Sequence, residues 1–206
     1  MVCIGEGEDA ILELVTKMSR GEDYLQTKNL WFKTGDQVFE NPLSPLPREL
    51  DVYPFPDYSM EDHHIMFKDR LVPLTDEIFQ FFLKEGTVSR YLDKTGYQTM
   101  TSRGCPYNCA YCINHTIKEM YGGKGKLRWR SVANVIEELS WVKKKMPYVN
   151  YIWFSDDEFM AQNIENLKDF TSQYKEKIRL PFSCLVSPLS VTEEKMSLLV
   201  DAGLVY

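Results

Sequence analysis

From Tyr97 to Tyr206 short apolar runs alternate with stretches of helical spacing. That alternation confines this part of the chain to a parallel sheet with right-handed helical crossovers. The strand-like runs are residues 97–102, Val149–Phe154 and Leu180–Val186, and Leu204–Tyr206 starts a fourth. Ser131 suits an N-cap, and Val132, Val135, Ile136, Leu139 and Val142 follow it at helical spacing until Pro147. Ile164, Leu167, Phe170 and Tyr174 mark a second helix. Thr192 caps a third, with Glu193 and Glu194 where the helix dipole favours acids, an apolar face of Met196, Leu199 and Val200, and Gly203 as its stop. In barrels built this way the chemistry collects at the carboxyl ends of the strands.

Two stretches obey that rule. After the first strand come Arg103-Gly104 and then Cys105, Cys109 and Cys112, at C-x3-C-x2-C spacing. Thiolates this close on one loop can converge on a single metal centre. Three of them suit an iron–sulfur cluster with one open iron, whereas a closed zinc site wants four protein ligands. After the second strand come Ser155, Asp156, Asp157 and Glu158. Consecutive acids repel, so they need solvent, a cation or hydrogen-bond donors.

A disulfide framework is disfavoured by the odd number of cysteines, five, and by the tight cluster. Zinc is the serious rival, because His115 follows Cys112 by three residues and could complete a Cys3His site. Cys3 and Cys184 stand alone in apolar runs and read as buried small hydrophobes. His63 and His64 are adjacent, so they point different ways and read as surface or packing residues.

The cysteine spacing, with Tyr111 just before the last cysteine, resembles the signature of the radical S-adenosylmethionine (radical SAM) superfamily. The resemblance implies that Cys105, Cys109 and Cys112 hold three irons of a [4Fe-4S] cluster. Its fourth iron would bind SAM, whose reductive cleavage gives a 5′-deoxyadenosyl radical. Tyr111, Ser155, Asp156 and Asp157 are then the expected cofactor-binding residues. The stretch Ser155–Phe159 departs from the superfamily's usual Gly-Gly-Glu and looks like the Asp-Asp/Glu-x-Phe variant of the cobalamin-linked branch. The implied reaction is methyl transfer or rearrangement at an unreactive carbon of a small-molecule or peptide substrate, with flavodoxin or ferredoxin as electron donor. The alternatives are a zinc-binding Cys3His module without catalysis and a tRNA-modifying methylthiotransferase.

Upstream, Val2-Cys3-Ile4, the Gly5–Glu8 turn and an apolar helical stretch of Ile11, Leu12, Leu14, Val15 and Met18, ended by Gly21, read as strand, turn and helix. This resembles the closing unit of a Rossmann-like cobalamin-binding domain, and cobalamin would belong to a longer chain with the rest of that domain. Residues 30–41 read as a hairpin turning at Thr34-Gly35-Asp36. Prolines 42, 45, 47, 54 and 56 then force an extended path. Leu50-Asp51 with Pro54-Phe55-Pro56-Asp57 resembles the connector between the two domains of that branch. Residues 61–96 read as mixed helix and loop, with Ile78, Phe79, Phe82 and Leu83 on one face.

The expected organisation is therefore a cobalamin-domain remnant over 1–21, a connector over 22–90 and the first half of a radical SAM domain over 91–206. The fold class is α/β, a partial parallel (β/α) barrel truncated after about three strand–helix units, and the chain is expected to be a fragment. Net charge is -6, and the basic patch from Lys124 to Arg130 reads as a solvated loop, so nucleic acid is not the expected partner. No apolar run reaches the roughly 20 residues a membrane span needs. Met1–Glu8 lacks a secretory signal's basic and apolar regions, so the expected compartment is the reducing cytoplasm.

Overall fold

The computed structural model describes residues 1–123 and 127–205. In chain order it begins with β1 (Val2–Cys3), α1 (Glu8–Arg20), β2 (Leu30–Thr34) and β3 (Gln37–Glu40). Then come β4 (His64–Phe67), β5 (Arg70–Pro73), α2 (Asp76–Glu85), α3 (Thr87–Leu92), β6 (Gly96–Thr99) and β7 (Ser102–Arg103). The rest is α4 (Ile113–Met120), β8 (Arg128–Trp129), α5 (Val132–Lys145), β9 (Tyr151–Phe154), α6 (Ile164–Lys177), β10 (Phe182–Cys184) and α7 (Glu193–Ala202). These elements form two compact units, one of residues 1–48 with 107–126 and the other of 49–106 with 127–206. Among the described residues no helix is long and apolar enough to cross a membrane.

In the first unit β1, β2 and β3 form an antiparallel sheet. The hairpin falls where the sequence places it, with Thr34 opposite Gln37 across Gly35-Asp36. Ala10 and Leu14 of α1 pack on Leu30 and Phe32. The strand, turn and helix at the start are present, but β1 pairs antiparallel with β2 rather than within a parallel sheet. Much of the expected apolar face of α1 is exposed: Ile11, Leu12, Val15 and Met18 all face solvent. Cys3 is exposed too, a correction to its reading as a core residue, because β1 is only two residues long and both are uncovered. Gly5 turns the chain at φ 82°, where a side chain would strike the Tyr121 hydroxyl.

The second unit carries the parallel sheet, with strand order β10-β9-β6. Tyr97, Ile152 and Phe182 stand in register on one face, and Phe154 stands on the same face two residues beyond Ile152. That face packs on Val135, Leu139 and Val142 of α5, Leu167 and Phe170 of α6, and Leu199 of α7. Phe154 is the hub, with its ring centroid 5.1 Å from Phe159 and 5.5 Å from Phe170 and Phe182. The three helix caps form as read: the side chains of Ser131 and Thr192 accept from Asn134 N and Lys195 N, and Gly203 closes α7 in the left-handed region. A parallel bridge from Phe182 to Leu204 begins the fourth strand, and Tyr206 lies outside the described residues. The sheet is open among the described residues, with no barrel closure.

The opposite face carries Gln98, Trp153 and Ser183 in register. Helices α2 and α3 cover part of it around a pocket of about 190 Å3, lined by Phe82, Leu83, Val88, Gln98 and Trp153. The β4–β5 hairpin was not expected. Its loop is Lys68-Asp69, with φ of 50° and 61°. Both residues are left-handed, as a type I′ turn requires, but neither is the Asn or Gly that announces one.

Phe154→Ala should destabilise the second unit by about 3–5 kcal/mol in urea unfolding, because it empties the centre of the aromatic cluster. Leu12→Ala, on an exposed face, should stay within about 0.5 kcal/mol.

Candidate functional site

The carboxyl end of β6 is held by two buried carboxylates. Glu138, on the core-facing side of α5, accepts from the Tyr97 hydroxyl at 2.5 Å and from Thr99 Oγ1 at 3.1 and 3.2 Å. Arg130 Nη1 pairs with it at 2.5 Å and also donates to Met100 O at 3.1 Å. Burial, then the Glu138 charge, drives the Tyr97 hydroxyl far above its ordinary pKa, so it stays protonated as a donor. Asp156, just past the end of β9, accepts from Thr101 N at 3.0 Å, Thr101 Oγ1 at 2.8 Å and Ser102 Oγ at 2.5 Å. Burial pushes its carboxyl pKa up, against the pull of the Ser102 and Thr101 donors.

The run of acids therefore resolves by direction. Asp156 and Glu158 are both 0% exposed, and Asp157 faces solvent. Glu158 accepts from Ser187 N at 2.6 Å, Ser190 Oγ at 2.7 Å and Met160 N at 3.2 Å, which ties the loop after β10 to the end of β9. Ser155 is half-buried and donates to Thr99 O at 3.3 Å. The Asp156 oxygens thus accept from Thr101 and Ser102 inside the fold.

Cys105 follows β7 in the second unit and is half-buried. Cys109, Tyr111 and Cys112 belong to the first unit, where α4 organises their loop. Lys118 Nζ donates to Tyr107 O and Asn108 Oδ1, both at 2.8 Å. Cys112 N donates to Cys109 O at 3.0 Å, and Asn114 Nδ2 lies 3.6 Å from Cys112 Sγ. His115 donates from Nδ1 to Cys112 O at 2.6 Å, and its Nε2 lies 3.4 Å from Thr116 Oγ1. The Nδ1–H bond fixes the ring at the start of α4 and leaves Nε2 as the unprotonated nitrogen. Tyr111 is 93% exposed, and the charge of Cys109, with a hydrogen bond to it, raises the Tyr111 hydroxyl pKa.

No disulfide joins the three cysteines. Soft sulfur donors on one short loop suit iron, and the amide beside Cys112 Sγ suits a thiolate. No group of three or more His, Cys, Asp or Glu among the described residues is gathered tightly enough to grip an ion. Cys184 stands apart: burial first, then Asp156 and Glu158, push its pKa up to about 12, which disfavours the thiolate a metal needs. It is half-buried rather than fully buried.

Sequence reasoning missed Glu138 and misread Arg130. Of the basic patch, Lys124 to Lys126 lie outside the described residues, but Arg130 is no solvated charge: its side chain is only 14% exposed and paired. Glu138 sits three residues after Val135 and four before Val142, so it is an acid inside the apolar stripe of α5. That misplaced charge was the available signal. The connector also serves the site. Asp51 Oδ1 accepts from Ser131 N at 2.9 Å, Phe55 lies 5.7 Å from the Arg130 guanidinium, and Tyr53 lies 5.4 Å from that of Arg103. A cavity of about 560 Å3 lies among Trp129, Arg130, Ser131, Asn166 and Phe170, and neither Asp157 nor the cysteines line it.

Arg130→Ala should cost about 3–5 kcal/mol in urea unfolding, because it strands the Glu138 charge in the core. Brief alkylation of iron-free protein at pH 8, followed by peptide mass spectrometry, should modify the exposed Cys109 well before Cys184. With a pKa near 12, Cys184 is only about one part in ten thousand thiolate at that pH.

The Radical SAM superfamily model matches residues 99–206. An uncharacterized methyltransferase of Pyrococcus horikoshii is 33% identical over 157 residues, which is 75% of this chain and 28% of that protein. The radical SAM methyltransferase TsrM of Kitasatospora setae, solved with tryptophan substrate and the SAM analogue aza-SAM, superposes with a TM-score of 0.66 at 18% identity. That match covers 98% of this chain and 35% of TsrM. TsrM solved with cobalamin and a [4Fe-4S] cluster gives 0.59 at 17% identity. The chain therefore spans about a third or less of the length of these relatives, and TsrM attests the fold alone. The family model covers more than half of the chain and includes the whole cysteine loop and the acidic strand end, so the protein belongs to the radical SAM superfamily.

Proposed function

We propose that this chain carries the cluster- and SAM-binding half of a cobalamin-linked radical SAM methyltransferase. The observation that carries this reading is the C-x3-C-x2-C loop at the carboxyl end of the first parallel strand, inside the matched region 99–206. Cys105, Cys109 and Cys112 would hold a [4Fe-4S] cluster, which when bound supplies the open iron and the electron for reductive cleavage of SAM. The chain's own residues prepare the place. Asp157 and Ser155 offer acceptors at the end of β9 for an ammonium group, and Tyr111 flanks the loop. Lys118 and His115 hold the loop against α4.

Methyl transfer is favoured over rearrangement because the Pyrococcus relative and TsrM are both methyltransferases by name. The substrate class is a small molecule or peptide, in keeping with the tryptophan bound in TsrM. Cobalamin would sit in a domain of which residues 1–21 are the last unit, and a flavodoxin or ferredoxin would deliver the electron. An acidic balance, net charge -6, speaks against an RNA substrate.

Anaerobic reconstitution should load about four irons per chain, and Ala at any one of positions 105, 109 or 112 should abolish it. A full cluster in all three variants would refute the assignment, and one zinc with no iron would restore the zinc reading. With a reductant and SAM, 5′-deoxyadenosine marks reductive cleavage, whereas S-adenosylhomocysteine marks transfer of the SAM methyl group.

A further inference from the structure

We propose that Asp156 is a positioning residue: its buried carboxylate fixes the strand exit Thr101–Ser102 that presents Cys105 to the cluster, and it makes no contact with SAM. The inference rests on the cysteine assignment above. A carboxylate offers about four lone-pair sites. Here they receive Thr101 N, which lies 3.0 and 3.1 Å from the two oxygens, Thr101 Oγ1 at 2.8 Å and Ser102 Oγ at 2.5 Å. With the residue 0% exposed, an incoming ammonium would have to break this set to reach it.

The path from these donors to the first thiol has little slack. Thr101 O is held from the other side by Arg130 N at 2.8 Å. Ser102 and Arg103 pair with Trp129 and Arg128 across β7–β8, and Arg103 lies over Tyr53. Gly104 then turns at φ 93°, and Cys105 follows. Each residue from 101 to 104 is therefore fixed by a named contact or a restricted backbone angle. Asn at 156 keeps the size of the side chain but turns an N–H2 toward groups that themselves donate.

The test uses the 206-residue chain, reconstituted anaerobically and challenged with an iron chelator. Reduced samples are followed by electron paramagnetic resonance with and without SAM. Asp156→Asn should lose iron about 10- to 100-fold faster than the unmodified chain, the usual scale for a lost ligand-orienting partner. The cluster fraction that survives should still shift its resonance when SAM is added. Glu158→Gln is the control, since Glu158 is as deeply buried but holds a different loop. It should hold iron at the unmodified rate even where its melting temperature falls as far. Ser102→Ala, which removes one donor, should move iron loss in the same direction by a smaller factor and guards against misfolding of Asp156→Asn.

Equal iron loss in Asp156→Asn and Glu158→Gln would reduce Asp156 to general stability and overturn the proposal. A stable cluster in Asp156→Asn that no longer responds to SAM would make Asp156 a cofactor contact, which also overturns it. If the unmodified chain takes up no iron, the functional reading fails first and takes this inference with it. If that chain loads and Asp156→Asn matches it in every respect, only this inference fails.

Discussion

A carboxylate cut off from water must find donors or surrender its charge, and that requirement shapes the end of the first parallel strand. Tyr97 and Thr99 fall on one side of β6, because side chains alternate, and Thr101 lies in the bend just beyond its end. All three carry hydroxyls, and the hydroxyls meet two buried acids in turn. Tyr97 and Thr99 donate to Glu138, and Thr101 donates to Asp156. Leaving either acid unpaired would cost several kcal/mol, roughly the scale of a buried charge without a partner. Strand, helix α5 and the end of β9 are locked in one register by groups that tolerate no slippage.

Around that lock the labour divides cleanly. The parallel sheet and its helices supply stiffness through the aromatic cluster at Phe154. The proline-rich connector supplies two flat faces, Tyr53 and Phe55, against the arginines on either side of the cysteine-bearing stretch. Among the described residues, Asn114, His115 and Lys118 of α4 hold the loop itself.

The alternation of strand and helix was legible because buried parallel strands read as apolar runs and their helices carry caps of the right chemistry. Ser131, Thr192 and Gly203 do what their residue types promise. The cysteines and the acidic strand end were legible because spacing and consecutive charge are local signals. What was hidden depends on distant partners. Nothing beside Glu138 in sequence says that Arg130, Tyr97 and Thr99 will surround it. Nothing within Asp156-Asp157-Glu158 says that the outer two turn inward and the middle one outward; that follows from donors at positions 101, 102, 187 and 190. The β4–β5 hairpin hid for a local reason, since Lys68-Asp69 adopts a left-handed pair that its residue types do not advertise.

The exposure of Cys109 has a chemical consequence for handling. A thiol open to solvent is the first to meet peroxide, and the sulfenic acid it forms condenses with a neighbouring thiol. Oxidant would therefore reach this loop before the core, and a reductant would reverse a sulfenic acid or a disulfide formed there. Like the exposed Cys3, Cys109 suffers an injury that stays reversible so long as oxidation stops at the first rung.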